Sequence, residues 1–95
     1  MTPHPTTATA WEWDDGNERE LAGHGISSMD VYEVWANGAY WVPNRRGRSG
    51  DWKMCGRTDG GRRLTVVVRF YPDRGLIRPI TGWDATHGER SRYFK

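Results

Sequence analysis

The segment at residues 64–71, with the sequence LTVVVRFY, constrains the fold of this chain more than any other feature. It is rich in β-branched and aromatic residues and has a continuous apolar run at residues 66–68, which is typical of a strand buried inside a sheet. Turn sequences flank it, DGG at residues 59–61 and PDRG at residues 72–75. We therefore expect a central strand that short hairpin connections join to its neighbours.

Other strands are predicted on both sides of this segment. Residues 52–58 (WKMCGRT) have an alternating pattern that predicts a strand. Residues 76–81 (LIRPIT) predict a third strand, in which Pro79 indicates an edge or a bulge. Residues 39–42 are a further candidate, and WEWD at residues 11–14 predicts a short strand with both Trp rings on one face. Hairpin-length connections among the later strands favour an antiparallel sheet.

Three helices are predicted from caps and apolar spacing. Residues 15–22 contain good helix formers, and Gly23 ends them. A second helix follows Ser27, with Asp30 as the acid of a capping-box pair. The S/T-x-x-E pattern at residues 86–89 begins a short C-terminal helix. N-terminal helices packed on one face of a small antiparallel sheet give an α+β fold.

Length and composition set further limits. The 95 residues allow one domain, which we place at residues 11–95 after a disordered tail, rich in Thr and Pro, at residues 1–10. We see no signal peptide and no membrane span, since no stretch approaches about 20 apolar residues. The single cysteine, Cys55, excludes an internal disulfide and fits a reducing cytoplasm. No cluster shows the spacing of metal ligands, so we expect neither a metal nor a cofactor.

Charge is distributed unevenly along the chain. Residues 1–44 carry a net charge of −6 and residues 45–95 a net charge of +8, although the whole chain carries only +2. Eleven of the thirteen cations in the second part are arginines, whose planar guanidinium suits bidentate binding of phosphate. This bias favours RNA as a polyanionic partner. The alternative is that the two parts neutralise each other across the fold.

The positions of the arginines are informative. Arg57, Arg69 and Arg78 fall within or near the ends of strand patterns, where a charged side chain must face solvent or a partner. A second group lies in a Gly- and Arg-rich loop and is expected to supply general attraction for RNA: Arg45, Arg46 and Arg48.

Two histidines are candidates for proton transfer, because an imidazole titrates near neutral pH. His24 lies in the turn between the first two helices, and His87 lies at the start of the last one. For each, a surface or hydrogen-bonding role is the alternative. On the last helix, Arg90 and Arg92 either join a site or form a solvated face in which Glu89 pairs with a neighbouring arginine.

Several short motifs follow one another along the chain: WEWD at 11–14, HGIS at 24–27, GRT at 56–58, GRRLTVVV at 61–68, IRPIT at 77–81 and ERSRY at 89–93. In this order and at this spacing the series resembles the BrnT family of bacterial type II toxins, over residues 11–93. The resemblance implies a RelE-like fold and a metal-independent ribonuclease that halts translation by cutting RNA. It also implies a cognate antitoxin, whose ribbon-helix-helix part binds DNA and represses the shared operon.

Matched motif positions imply a set of site residues: His24, Arg57, Arg78, Glu89, Arg90 and Tyr93. Arg57 and Arg78 would bind the scissile phosphate. His24 or Glu89 would transfer the proton. Arg90 and Tyr93 would support them.

The chain departs from the family at two positions. Gly23 stands where the family has a basic residue before the His-Gly pair, and Trp83 stands where it has another basic residue. Trp83 therefore indicates either an altered substrate or a ring that stacks on a base of the RNA in place of the phosphate contact.

Two other functions use the same arginines. A non-catalytic binding module would hold RNA without cleaving it, with an affinity that salt weakens. A protein-interaction module would bind an acidic partner protein and show no affinity for RNA.

Overall fold

The computed structural model describes residues 3–45 and 50–94 of the chain. Within them, five strands form one sheet. In chain order the strands are β1 (Ala10–Trp11), β2 (Tyr40–Pro43), β3 (Trp52–Arg57), β4 (Arg63–Tyr71) and β5 (Leu76–Asp84). They lie side by side in the order β1, β5, β4, β3, β2, which puts β4 in the middle as the sequence predicts.

Three α-helices accompany the sheet, and all three begin with capping boxes. They are α1 (Asp15–Ala22), α2 (Ser28–Ala36) and α3 (His87–Tyr93). These helices confirm the predicted ones and, with the sheet, the predicted α+β class. In the described parts of the chain, no helix has the length and apolar character that crossing a bilayer requires.

The core lies between the first two helices and one face of the sheet. We call this the inner face and define it by five buried residues: Met54, Leu64, Val66, Val68 and Ile77. Leu21 of α1 and Val31 and Val34 of α2 are fully buried against it. Burying an aliphatic side chain of this size contributes about 1.5–3 kcal/mol, so these contacts fix the helical layer to the inner face.

The outer face of the sheet carries the alternate side chains of β3 and β4: Lys53, Cys55, Arg57, Arg63, Thr65, Val67 and Arg69. Two elements cover its middle. α3 lies over Thr65, whose hydroxyl donates a hydrogen bond to Glu89 at 3.0 Å. Gly50, at φ 83°, lies so close to Val67 that an added Cβ would come within 2.6 Å of it. β4 is therefore buried on both faces, and only the ends of the outer face reach solvent.

The sheet is mixed, whereas the sequence predicted an antiparallel one. The hairpins that join β2 to β3, β3 to β4 and β4 to β5 are antiparallel as expected. β1 pairs with β5 in parallel, with Ala10 opposite Leu76 and Trp11 opposite Ile77. No hairpin links these two strands, so the short connections in the sequence carry no information about their relative direction.

Two predicted strands have different ends in the structure. β1 stops at Trp11 rather than at residue 14, because Asp14 accepts a hydrogen bond from the backbone of Asn17 and caps α1. β5 runs on to Asp84, beyond the predicted end at residue 81. Pro79 lies at a shift in the pairing with β4, as the sequence predicts, since proline has no N–H to donate to the ladder.

The N-terminal residues differ from the predicted disordered tail. Pro5–Thr7 form a short 3₁₀ helix, and Pro5 is buried. The ring of His4 lies 4.9 Å from the ring of Trp52 and 6.0 Å from that of Trp41, in edge-on contacts. The large indole rings at this end of the sheet offer an apolar surface, and residues 4–8 order themselves by covering it.

Candidate nucleic-acid interface

Four cations lie at the two ends of the outer face. Arg57 of β3 is directly opposite Arg63 of β4 at one end, and Lys53 and Arg69 lie towards the other. The three arginine side chains are exposed and the lysine is partly exposed. Since Lys53 and Arg57 are four residues apart on one strand, they are separated by about 13 Å. The outer face thus presents positive charge over an extended surface.

These four cations have no carboxylate partner within 4.0 Å among residues 3–45 and 50–94, unlike two neighbouring arginines. Arg62 forms a bidentate pair with Asp84 at 2.7 and 3.0 Å and also donates to the carbonyl of Gly25 at 2.6 Å. Arg62 therefore ties the sheet to the helical layer and is engaged within the fold.

Arg78 is engaged in the same way. Its guanidinium is 2.8 Å from Asp14 and 3.2 Å from Glu12, both in the segment that leads from β1 into α1. Hydrogen bonding to Arg78 lowers the pKa of Asp14, so the pair is ionised at neutral pH. A phosphate at Arg78 would meet two carboxylates that repel it. Arg78 therefore lies at the edge of the sheet, where these two carboxylates neutralise its positive charge.

His24 lies in the turn after α1, where it is exposed. Its Nε2 is 3.2 Å from Glu20, whose carboxylate also accepts a 2.7 Å hydrogen bond from the hydroxyl of Thr81. That hydroxyl, and then the imidazole, lower the pKa of Glu20. In the described part of the chain, the side-chain contacts of His24 run only to this carboxylate and not to the other predicted site residues.

Glu89 is held beneath α3 by several donors. One carboxylate oxygen accepts hydrogen bonds from the Thr65 hydroxyl, the Trp83 indole and the backbone of Thr86, all within 2.9–3.0 Å. Burial is the largest influence on the pKa of Glu89 and raises it, but the hydrogen bonds led by the Thr86 backbone outweigh it and lower the pKa overall. Glu89 is therefore a carboxylate at neutral pH, and its other oxygen has no donor among the described residues.

Trp83 takes part in this network and does not stand free. Its indole N–H is committed to Glu89 and its side chain is partly buried, facing Thr65 across the sheet. The edge of the ring is thus fixed by the fold, and any stacking on a base is limited to the exposed part of the ring.

An open cleft of about 740 Å³ lies beside the end of α3. We call it the α3 cleft. Its lining includes aromatic, polar and charged side chains: Asn37, Tyr40, Arg57, Asp59, Tyr93 and Phe94. The rings of Tyr40 and Tyr93 are stacked with centroids 5.4 Å apart, and the Arg57 guanidinium lies 5.5 Å from the centre of the Phe94 ring. Aromatic rings and a cation therefore share one concave surface.

The α3 cleft also touches Cys55, whose thiol is buried. Burial raises the pKa of Cys55 to about 11, so the thiol stays protonated at neutral pH and is a poor nucleophile. Among the described residues no group of His, Cys, Asp or Glu side chains is arranged to hold a metal ion. Chemistry at this cleft would rest on Arg57, Asp59 and the two tyrosines, which line it.

The structure brings together only part of the predicted site. Arg57 and Tyr93 share the α3 cleft, and Glu89 and Arg90 lie on α3. Arg69 lies on the outer face, and Arg45 is the second residue after the end of β2. Arg46 and Arg48 lie outside the described residues.

Three residues of the cleft, Tyr40, Asp59 and Phe94, were not predicted from the sequence. Their place in the cleft depends on strand register, because Tyr40 lies opposite Cys55 across the hairpin. The turn sequence around Asp59 was the only local signal, and it indicated a hairpin rather than a site.

No known family model matches the sequence, and a search of the curated proteins finds no match.

Glu89→Gln is expected to lower the free energy of unfolding by about 1 kcal/mol near pH 7, because it keeps the accepting oxygen but removes its charge. A carboxyl whose pKa is lowered by folding stabilises the protein above its ordinary value of 4.5, and the stabilisation is lost as the pH falls through the folded pKa. Urea unfolding of both proteins as a function of pH should show the difference shrinking below that value. A difference that does not change with pH would contradict the assigned role of the charge.

Proposed function

We propose that this chain binds single-stranded RNA across the outer face and the α3 cleft. We propose further that it is the ribonuclease toxin of a type II toxin–antitoxin pair, with the RelE-like fold that the BrnT resemblance implies. The observation that carries RNA binding is the set of four cations on the outer face without carboxylate partners among the described residues, next to a cleft lined by aromatic rings. Cations that follow a backbone and rings that stack on bases are the two components of single-strand binding.

Charge balance elsewhere in the fold supports this choice of surface. The carboxylate of Asp84 pairs with Arg62, which also contacts the turn between α1 and α2. Those of Glu12 and Asp14 pair with Arg78, which lies opposite Arg69 in the sheet. The fold thus neutralises Arg62 and Arg78, whereas the four cations named above have no carboxylate within 4.0 Å among the described residues. A protein antitoxin would mask the toxin by covering this same surface, in the cytoplasm.

Cleavage without a metal requires two proton transfers. The ribose 2′-hydroxyl attacks the adjacent phosphorus, the bond from phosphorus to the 5′ oxygen breaks, and the products are a 2′,3′-cyclic phosphate and a 5′-hydroxyl. In our proposal Arg57 and Arg90 stabilise the charged phosphate. The free oxygen of Glu89 accepts the 2′ proton, and the hydroxyl of Tyr93 donates a proton to the leaving oxygen.

A non-catalytic RNA-binding module is the second candidate, and one observation favours it. Arg78 is bound to Glu12 and Asp14, and His24 is bound to Glu20 outside the cleft, so two of the expected catalytic residues are engaged elsewhere. In this alternative, the same outer face binds RNA without cutting it.

Arg57→Ala and Arg69→Ala are each expected to weaken binding of a fluorescent single-stranded RNA about fivefold at about 0.1 M salt. Each should also reduce the slope of log affinity against log salt by about 0.7, the value for one lost phosphate contact on a single strand. Arg19→Ala removes the same charge from the exposed side of α1 and should leave both quantities unchanged. Equal effects of all three variants in fluorescence anisotropy would mean that binding reflects net charge alone.

Cleavage of an end-labelled RNA in the presence of EDTA separates the two candidates. The toxin proposal predicts products ending in a 2′,3′-cyclic phosphate, and a rate reduced about 10²-fold or more in Glu89→Gln with RNA affinity retained. Arg78→Ala should cleave at a rate within about threefold of the unsubstituted chain, since its charge is balanced within the fold. RNA binding without any product would favour the non-catalytic module.

A further inference from the structure

The geometry of the α3 cleft points to a recognition site for one base, and we propose that this base is guanine. The inference rests on the proposed binding of single-stranded RNA and names the base that the cleft selects. It depends on three features of the cleft: an aromatic surface, a positioned carboxylate and a neighbouring guanidinium.

The aromatic surface is the ring of Tyr40. One of its faces is stacked on Tyr93 at an interplanar angle of 19°. Despite this contact, 56% of Tyr40 remains exposed, so much of its surface is open to a ligand. A base that stacked on the free face would extend the existing pair of rings. Stacking of this kind is favourable for every base, so it supplies affinity and not selectivity.

The carboxylate that would select the base is that of Asp59, in the turn between β3 and β4. The side-chain amide of Asn37 donates to one Asp59 oxygen at 3.0 Å and to the carbonyl of Arg57 at 2.9 Å. The backbone N–H of Asp59 donates to Glu33 at 2.9 Å. The turn is thus held from both its backbone and its side chain. Within residues 3–45 and 50–94, no cation lies within 4.0 Å of this carboxylate.

An ionised carboxylate only accepts hydrogen bonds. Guanine is the base whose Watson–Crick edge presents two adjacent donors, the ring N1–H and the exocyclic amine, and these match the two oxygens of a carboxylate. On that edge adenine, cytosine and uracil each place an acceptor beside a single donor, and in a bidentate pair that acceptor would face an oxygen of Asp59 and be repelled. A pair of this bidentate kind typically discriminates against the wrong base by about tenfold or more.

Arg57 would hold the phosphate attached to the selected nucleotide. Its guanidinium lines the same cleft, where the Phe94 ring lies beneath it. The cleft has room for the ligand, since an added Cβ at Gly38 or Gly61 would meet no atom within 4 Å. A carboxylate and a guanidinium beside one aromatic surface suit a nucleotide better than an uncharged ring or a simple anion.

The test compares two short oligouridine RNAs that differ in one central base, guanine or adenine. Their affinities for the full-length chain are measured by fluorescence anisotropy at one salt concentration. We expect the guanine RNA to bind about tenfold more tightly. Asp59→Asn should bring the ratio close to one while preserving the oxygen that Asn37 contacts. Tyr40→Ala should weaken both RNAs by a similar factor, about tenfold, and keep the ratio.

Asp73→Asn is the matched control, because it removes the same charge at an exposed turn outside the cleft. It should leave the ratio unchanged, and circular dichroism of each variant verifies that it is folded. Equal affinities of the unsubstituted chain for the two RNAs, together with the expected salt dependence, would overturn the guanine site but leave RNA binding standing. A preference that persists in Asp59→Asn would overturn the role of Asp59. Absence of binding to either RNA would overturn the proposed function as well.

Discussion

Burial of β4 on both faces is the constraint on which the rest of the structure depends. The inner side chains of this strand, such as Val66, require the two N-terminal helices as a cover. The outer ones, Thr65 and Val67, are covered by α3 and by the close approach of Gly50. Each cover is short, so the outer face is closed only in its middle. The exposed cations and the α3 cleft lie where this cover ends.

The polar contacts of the outer cover explain how a seven-residue helix stays in place. α3 buries no residue of its own, and the carboxylate of Glu89 attaches it to Thr65, Trp83 and the helix cap. The Tyr40–Tyr93 stack and the contact of Arg57 with Phe94 secure its far end. The same interactions that hold α3 therefore also form the wall of the cleft, which links the stability of the helix to the shape of the proposed RNA site.

The sequence predicts those parts of the fold that depend on interactions between residues close together in the chain. The run at Val66, the turn at Asp59 and the cap at Ser27 each act through near neighbours, so the central strand, a hairpin and a helix were predictable. The parallel pairing of β1 and the order of residues 3–10 depend on partners far along the chain, such as Trp52 for His4, and no local pattern reveals them.

The residues of the candidate site also fall into those whose position the sequence predicts and those whose position it does not. Placement of Arg57 and Arg69 on strands followed from alternation and holds in the structure. The pairing of Arg78 with Glu12 and Asp14 could not be predicted in this way, because the acidic motif that contains both partners lies at the other end of the chain. Charge in the sequence thus led to the prediction of a polyanionic partner, whereas distinguishing available cations from engaged ones required the tertiary fold.

Amide chemical shifts of the isotope-labelled chain, recorded as single-stranded RNA is added, test the location of the binding surface most directly. The proposed interface predicts that the largest changes fall on β3, β4 and α3, including Arg57, Thr65 and Arg69. It predicts small changes on α1, whose exposed surface is largely acidic, and on α2, whose exposed large hydrophobic side chains are Met29 and Tyr32. Changes centred on those two helices, or no changes at all, would contradict it.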